Sequence, residues 1–192
     1  STQGVSSAAS DVYKRQELTA ILEAARHAPT AFNIQNYRFL VVRDREQRRR
    51  IRAAAWNQPQ VEDCAALIVM CADIKAWEKD PARYWKDAPE SVREGYVGMI
   101  RSYYEGREQV QRDEGIRSCG LAAYALMMAA AAHGLQTCPM DGFDFGQVGE
   151  IINLPADHEI VMFVALGREA SSPRPRGGFL PLDAVVQYDC FS

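Results

Sequence analysis

The chain contains 192 residues, with 22 Lys and Arg against 25 Asp and Glu, so its formal net charge is -3. This balance excludes a generally basic nucleic-acid-binding protein, whereas a content of 47% hydrophobic and 24% charged residues suits one globular domain with a buried core. The longest apolar or small stretch, residues 119–132, is shorter than the roughly 20 residues of a membrane-spanning helix, so we expect no membrane association.

Residues 1–16 combine small and polar side chains without a helical or alternating apolar pattern. We expect a disordered or non-native tail at 1–16, followed by one domain at 17–192. No secretory signal pattern is visible. The cysteines are odd in number, share no Cys-x-x-Cys spacing and lie mostly in apolar runs, which predicts free thiols and a reducing, cytoplasmic location. They are Cys64, Cys71, Cys119, Cys138 and Cys190.

The first half of the domain alternates between helices and strands. An apolar face beginning at Glu17 predicts a helix that Pro29 ends. Residues 37–42 are rich in β-branched and aromatic side chains and predict a strand. Asp44 is placed to cap an arginine-rich helix that runs to Ala55. The continuous apolar run at 66–72 predicts a strand that is buried on both faces.

The second half begins with an aromatic-rich segment, residues 76–112, in which Pro89 marks the start of a longer helix. Asp113 then opens an almost wholly apolar helix to His133, which Gly134 ends in a left-handed conformation. Residues 135–143 are turn-like, Asp144 caps a helix to Leu154, and 158–167 give the strongest strand pattern. We therefore predict an α+β fold in which helices cover a small mixed sheet.

Several common chemistries lack their motifs. The three histidines, His27, His133 and His158, have no metal-ligand spacing and stand at the ends of predicted elements, so we expect no metal site. No Gly-x-Ser-x-Gly turn indicates a hydrolase, and the glycines of residues 142–149 match neither a P-loop nor a Rossmann fingerprint. The arginines of residues 43–52 are interleaved with acidic residues, which predicts a solvated helix face.

Five segments together suit a flat, phosphorylated cofactor. Residues 29–36 and 55–60 are loops of hydroxyls and amides, and residues 138–144 form a turn where Gly142 allows close approach of backbone to a ligand. Residues 173–176 place two guanidinium groups on a stiff backbone, which suits a phosphate. The aromatic-rich segment offers a cover for a planar substrate. Taken singly, each segment is also explained as an ordinary turn, cap, charged tail or core.

In this order, the segments resemble the flavin-dependent nitroreductase family. The resemblance is carried by Thr-Ala-x-Asn-x-Gln at 30–35, the turn Pro-Met-Asp-Gly-Phe-Asp at 139–144 and the closing Arg-x-Arg at 174–176. It extends over about residues 17–185. The resemblance implies a nitroreductase-like fold, an intertwined homodimer, and FMN bound at the interface with contacts from both chains.

The resemblance also assigns cofactor-binding residues. The loop at 30–35 reaches the flavin from the partner subunit, and Asn57 and Gln60 face the polar edge of the ring. The turn at 139–144 packs on one flavin face with its backbone N–H groups near N5. The two arginines of residues 174–176 contact the phosphate. The implied set is Thr30, Ala31, Asn33, Gln35, Asn57, Gln60, Pro139, Met140, Asp141, Gly142, Arg174 and Arg176.

The implied activity is a two-step transfer of electrons. NADH or NADPH gives a hydride to flavin N5 and leaves, and a small-molecule acceptor, a nitroaromatic or a quinone, then takes its place. The flavin carries the chemistry, so no side chain is needed as a catalytic acid or base. Residues 77–104 are the expected wall of the substrate pocket. A relative that uses FMN for dehalogenation or enoate reduction is an alternative on the same scaffold.

Two departures from the family pattern leave two further alternatives open. The Arg-x-Ser-x-Arg motif expected near the N-terminus is absent from the sequence, which predicts an FMN affinity lower by about tenfold or more. Gln60 stands where many relatives have a lysine, which removes a positive charge near N1. The alternatives are a flavin-binding dimer with little or no turnover, and a helical dimer without a cofactor.

Overall fold

A computed structural model of the protein describes residues 5–6, 15–169 and 175–191. The strands are β1 (Val5–Ser6), β2 (Tyr37–Val42), β3 (Ala66–Asp73), β4 (Gln136–Met140) and β5 (His158–Glu169). The helices are α1 (Arg15–Ala25), α2 (Arg45–Ala54), α3 (Pro59–Asp63), α4 (Ala76–Lys79), α5 (Glu90–Tyr104), α6 (Glu108–Ala132) and α7 (Phe145–Ile151), with 3-10 turns at Ala31–Asn33, Pro81–Trp85 and Leu182–Ala184.

The sheet is built around β3 and β5. β3 lies between β2 and β5, and β4 pairs with the other side of β5. Every pairing among the described strands is antiparallel. The short β1 pairs with the end of β5, where Val5 is opposite Glu169. The expected α+β class is confirmed, with helices on both faces of the sheet.

The alternation of side chains along β3 divides the core into two layers, because successive residues of a strand point to opposite faces. Leu67, Val69 and Cys71 pack with residues of α2, α3 and α7. Ile68 and Met70 pack on the other face against α1 and α6. All eight residues of β3 are buried, which confirms the strand buried on both faces that its continuous apolar run predicted.

A third, smaller cluster lies beside these layers. Ile34, Trp77, Ile100 and Tyr104 pack together in it, with Phe32 at its margin. The cluster joins the residue 30–36 loop to α4 and α5. The aromatic-rich segment of the sequence is therefore partly a core of its own.

Several sequence expectations are confirmed and three boundaries are wrong. The strand at 37–42 is confirmed, as are the caps by Asp44 and Asp144, which accept hydrogen bonds from the amides of Gln47 and Gln147. Gly134 has φ +70, as its capping role requires. The helix expected from Asp113 begins at residue 108, the helix expected to reach residue 154 ends at 151, and the turn-like residues 135–143 contain β4.

These differences have physical causes. Gln111 and Glu114 are polar residues on the buried side of α6, so the first turns of that helix lack an apolar face in the sequence. β4 contains Pro139, which cannot donate to a neighbouring strand, and β4 pairs with β5 alone. The arginine-rich helix α2 is also less solvated than expected: Arg48 is buried and its guanidinium donates to the carbonyls of Arg43 and Glu62.

The long helix α6 has two different sides. Among the described residues, it is the one helix with the length and apolar composition needed to cross a membrane. Cys119, Ala122 and Leu126 are fully buried against the sheet layer, as in the central helix of a folded domain. Leu121, Tyr124 and Met128 form an exposed apolar stripe on the other side.

The two ends of the chain differ from the body. Residues 1–16 were expected to form a tail, and the structure describes residues 5–6 and those from residue 15, where α1 begins. Whether this segment is native stays a prediction. All described residues of 175–191 are exposed. They include the large apolar side chains Phe179, Leu180, Tyr188 and Phe191, which are 71–90% exposed.

Candidate functional site

Two of the loops selected from the sequence lie against each other. We call residues 55–60 the amide loop and residues 139–144 the glycine turn. The amide of Asp144 donates to the carbonyl of Ala54 (2.9 Å), and the side-chain Nε2 of Gln58 donates to the carbonyl of Gly142 (2.7 Å). Segments more than 80 residues apart in sequence therefore form one polar surface beside the α2–α7 layer of the core.

The side-chain amides of the amide loop form a short relay. Nε2 of Gln60 donates to Oε1 of Gln58 (3.2 Å), whose own Nε2 holds the carbonyl of Gly142. Gln60 lies in the first turns of α3, a helix that the sequence analysis missed. The relay uses neutral groups only, so it fixes the turn without a buried charge.

Backbone conformation at the tip of the amide loop is unusual. Trp56 and Asn57 both have left-handed backbone angles, with φ of 50 and 57. The Asn57 amide donates to the carbonyl of Arg52 (3.0 Å), and the Nε of Arg52 returns a bond to the Asn57 carbonyl (3.2 Å). These two bonds hold a conformation that L-residues adopt rarely and at a cost.

Gly142 has no room for a side chain. A Cβ there would lie 2.8 Å from the ring of Trp56 and 3.2 Å from Nε2 of Gln58. The Trp56 indole is 72% exposed, so it covers Gly142 while most of its own surface remains open. Within the turn, Met140 is buried whereas Asp141 and Asp144 are exposed, and Asp144 caps α7.

The third predicted loop lies elsewhere, at the third hydrophobic cluster, that of Ile34, Trp77, Ile100 and Tyr104, which we call the satellite cluster. We call residues 30–36 the threonine loop. Oγ1 of Thr30 accepts a bond from the amide of Gln35 (3.0 Å), and Nδ2 of Asn33 donates to the carbonyl of Tyr84 (3.0 Å). Phe32, Asn33 and Gln35 all have left-handed backbone angles. The loop is thus internally bonded and held in one irregular conformation.

A buried carboxylate anchors this loop from α6. Oε1 of Glu114 accepts from the amide of Ala31 (3.1 Å) and from the hydroxyl of Ser118 (3.0 Å), and the other oxygen pairs with Arg117. Glu114 is only 7% exposed. The sequence analysis missed this residue, because Glu114 lies in a polar stretch between Asp113 and Arg117 that gives no local sign of a buried carboxylate.

An ion network follows the threonine loop at the start of β2. Oδ2 of Asp73 accepts from Arg38 (2.7 Å) and Lys79 (2.8 Å), and Lys79 also pairs with Asp157 (2.8 Å). The hydrogen bonds from Lys79 and then His158 lower the pKa of Asp157 to about 2. The oxygens of Asp73 and Asp157 lie near a His158 nitrogen, at a spacing that a metal ion could use. However, the Lys79 ammonium lies 2.8 Å from both carboxylates and supplies the positive charge there.

Three buried thiols, those of Cys64, Cys71 and Cys119, are unsuited to nucleophilic chemistry. Burial raises the pKa of Cys64 and Cys119 to about 12 and that of Cys71 to about 11. A thiol with a raised pKa carries almost no thiolate near neutral pH. None of the five cysteines forms a disulfide, and Cys190 alone among them is exposed.

The structure brings part of the predicted site together. The amide loop, which contains Asn57 and Gln60, adjoins the glycine turn through Gln58 and Trp56. That turn contains the predicted residues Pro139, Met140, Asp141 and Gly142, whereas Thr30, Ala31, Asn33 and Gln35 form the separate threonine loop. Arg174 lies outside the described residues. Arg176 is exposed in the C-terminal segment, with its guanidinium 5.3 Å from the ring centroid of Phe179.

Comparison with known proteins identifies the family. The nitroreductase family profile matches residues 10–168. The chain belongs to the nitroreductase family. A Synechocystis protein named DrgA is 50% identical over 153 residues, which cover 80% of this chain and 73% of DrgA. A Thermus thermophilus NADH dehydrogenase is 34% identical over 179 residues, which cover 88% of this chain and 83% of that enzyme.

Solved structures confirm the nitroreductase-like fold. A Bacillus subtilis nitroreductase-type protein named ydfN has a TM-score of 0.91 and 31% identity, over 98% of this chain and 94% of that chain. A protein from Exiguobacterium sibiricum described as a nitroreductase in complex with FMN has a TM-score of 0.89 and 28% identity, over 98% and 93%. The family and fold expected from the loop motifs are both confirmed.

Proposed function

We propose that this protein is an FMN-dependent oxidoreductase that transfers electrons from NADH or NADPH to nitroaromatic or quinone acceptors in two steps. The observation that carries the proposal is the hydrogen-bonded junction of the amide loop with the glycine turn, in a member of the nitroreductase family. The names of relatives support the donor and the cofactor: an NADH dehydrogenase, NADPH nitroreductases from Helicobacter, and the FMN-bound structure.

The residues at the junction fit a flavin. Asn57 and Gln60 offer neutral amides for the polar edge of the ring, and Trp56 and the exposed backbone at Gly142 offer a flat surface at which no Cβ intervenes. When bound, FMN would supply the hydride-transfer chemistry, which none of the amides at this junction can supply. We also propose that Arg176 and Arg174 bind the phosphate of FMN.

Each group of the chain has a binding or positioning role in this proposal. The amide relay from Gln60 through Gln58 orients the Gly142 peptide, so that the donors of the turn are fixed before the ligand arrives. Asn57 is held for the same purpose by Arg52. The side chains that we assign to the ring, Asn57 and Gln60, are neutral amides, so the proposal is that neutral hydrogen bonds recognise the polar edge of the ring.

A homodimer is part of the proposal. Residues 175–191 expose Phe179, Leu180, Tyr188 and Phe191, and α6 exposes a stripe of apolar side chains. Exposed apolar area of this kind marks an interface. A second copy that covers these surfaces brings its threonine loop to the flavin, which explains why that loop lies apart from the junction within one chain. We also propose a cytoplasmic location, which the free cysteines support.

An anaerobic absorbance experiment tests the function. The purified protein is reconstituted with FMN, its spectrum is recorded, and NADH and NADPH are added separately. We expect protein-bound flavin bands that bleach with at least one nicotinamide and recover when a quinone or nitroaromatic is added. Bound flavin that neither nicotinamide bleaches would contradict the oxidoreductase and favour a flavin-binding protein without turnover.

A further inference from the structure

A cavity next to the threonine loop shares no lining residue with the junction of the amide loop and the glycine turn. In the proposed homodimer, this is the loop that a second copy brings to the flavin. The cavity has a volume of about 570 Å³ and is lined by Phe32, Gly98, Met99, Ser102, Tyr103 and Arg107. This volume is within the roughly 300–1,000 Å³ of sites that hold small molecules. The wall is mostly apolar and aromatic, with the hydroxyls of Ser102 and Tyr103 and one cation, Arg107.

The aromatic part of the wall is rigid. The carbonyl of Phe32 accepts a bond from Nε1 of Trp85 (3.1 Å), and the Phe32 ring contacts the rings of Tyr103 and Tyr104 at centroid distances of 5.7 and 6.1 Å. Tyr104 is buried in the satellite cluster. Phe32 therefore presents a fixed ring to the cavity, at a backbone conformation that the threonine loop already constrains.

The opposite wall comes from one face of α5. Met99 and Tyr103 are one helical turn apart and are 48% and 43% exposed. Gly98 has no atom within 4 Å of a Cβ position, so the wall is open on that side. A thioether and aromatic rings are the groups that planar aromatic molecules contact most favourably.

Arg107 gives the cavity a charge. Its guanidinium lies 4.8 Å from the centroid of the Tyr103 ring, and its Nη1 donates to the Tyr103 carbonyl (3.1 Å). Elsewhere on α6, Arg112 pairs with Glu159 and Arg117 pairs with Glu114. Among the described residues, no carboxylate forms an ion pair with Arg107, so its remaining N–H donors are available to an anion.

We propose that this cavity binds the electron acceptor as a planar aromatic anion, with its ring between Phe32 and Met99–Tyr103 and its acidic group on Arg107. The inference rests on the proposed function and adds the charge class of its acceptor. Arg107 is suited to a carboxylate because a guanidinium stacked on a tyrosine loses little freedom when it binds. The acceptor would then be selected at the threonine loop, apart from the amides of the junction.

The test compares two acceptors of the same shape in the FMN-loaded enzyme. 4-Nitrobenzoate carries a carboxylate where 4-nitrobenzamide carries a neutral amide, and kcat/KM is measured for both with saturating donor. We expect the wild type to favour the anion and Arg107→Gln to lower the ratio of kcat/KM values about tenfold, through the KM of the anion. Arg107→Lys should retain part of the preference, and high salt should reduce it.

Arg101→Gln is the matched control, because Arg101 is an exposed arginine near the end of α5 that does not line the cavity. It removes the same charge and should leave the ratio unchanged. An unchanged ratio in Arg107→Gln, or an equal fall in both variants, overturns the proposal. A changed preference between NADPH and NADH with an unchanged acceptor ratio also overturns it, because Arg107 would then bind a phosphate of the donor.

Binding without turnover separates this proposal from the proposed function. Benzoate and benzamide are titrated into wild-type protein and Arg107→Gln by calorimetry. Tighter binding of benzoate that is lost in Arg107→Gln supports the cavity, whatever the activity of the protein. Equal binding of the two compounds overturns it. Failure of the proposed function would be seen in a different measurement. In that case, wild-type enzyme that holds FMN would not reduce 4-nitrobenzamide.

Discussion

The amide loop and the threonine loop have similar compositions but are held in different ways. Both are uncharged and polar, and both contain consecutive left-handed residues. The amide loop is joined to the glycine turn by neutral groups, chiefly the bond from Gln58 to the Gly142 carbonyl. The threonine loop depends on the buried carboxylate of Glu114, which accepts from the Ala31 amide.

The difference follows from what lies beneath each loop. The amide loop adjoins another stretch of irregular backbone, whose free carbonyl and amide groups can pair with it. The threonine loop adjoins the side of a helix, where backbone groups are already paired, so the acceptor must come from a side chain. A charged acceptor makes stronger hydrogen bonds, and its removal is therefore more costly.

The largest expected effect is that of Glu114→Ala. Because it leaves the Ala31 amide and the Ser118 hydroxyl without their acceptor, we expect the free energy of unfolding to fall by about 3 kcal/mol. Glu114→Gln keeps an acceptor oxygen and should cost less than half of this. Urea denaturation measures both. Glu108→Ala, at an exposed position in the first turn of α6, is the control, and an equal effect there would refute the anchoring role.

A smaller effect is expected for Gln58→Leu. Gln58 is partly exposed, so water can replace part of the lost bond to Gly142, and the expected loss is about 1 kcal/mol of unfolding free energy. Hydrogen exchange at Asp144, whose amide pairs with Ala54, should become faster while that of the threonine loop is unchanged. Gln109→Leu, at an exposed glutamine of α6, serves as the control. Faster exchange at Ala31 in Gln58→Leu would show that the two loops are not held independently.

The smallest expected effect is a change in the pH dependence of stability in acid. Arg38 joins the Gln35 carbonyl to Asp73, and Lys79 joins Asp73 to Asp157, so the ion network supports the exit of the threonine loop. Since hydrogen bonds lower the pKa of Asp157 to about 2 from 3.8, its contribution to stability is complete above pH 4 and is lost as pH falls toward 2.

Asp157→Asn should therefore lower stability near neutral pH. The difference from wild type should shrink between pH 4 and pH 2, as measured by urea denaturation across that range. Asp183→Asn, in the exposed C-terminal segment, provides a comparison that should have little effect at any pH. A difference for Asp157→Asn that is constant down to pH 2 would contradict the role of the ion pair.

The fold was predictable where one local pattern dominated. The apolar run of β3, the aromatic and β-branched residues of β2, and the capping residues Asp44 and Asp144 all predict the observed elements. Prediction failed where a tertiary partner replaces the local signal. The start of α6 depends on Gln111, which is buried because Lys75 and the Tyr104 carbonyl satisfy its amide.

The candidate site was predictable in its residue types and not in its arrangement. Hydroxyls, amides and a Pro-Met-Asp-Gly turn identified the segments and the family. Their partners Gln58, Trp56 and Glu114 act across sequence separations of more than 80 residues, and their roles have no local signature. Arg107 likewise gains its significance from its place over Tyr103 at the cavity, since its sequence neighbourhood resembles that of any exposed arginine.

By itself, the sequence determined the α+β class, the family and the candidate loops, because these depend on short-range periodicity, capping and motif spacing. Only the tertiary structure decided that the amide loop and the glycine turn form one surface while the threonine loop stands apart. It also decided which polar residues are anchors. The physical reason is that a buried donor must find an acceptor wherever the packed chain supplies one, and that partner is set by the fold and not by position in the sequence.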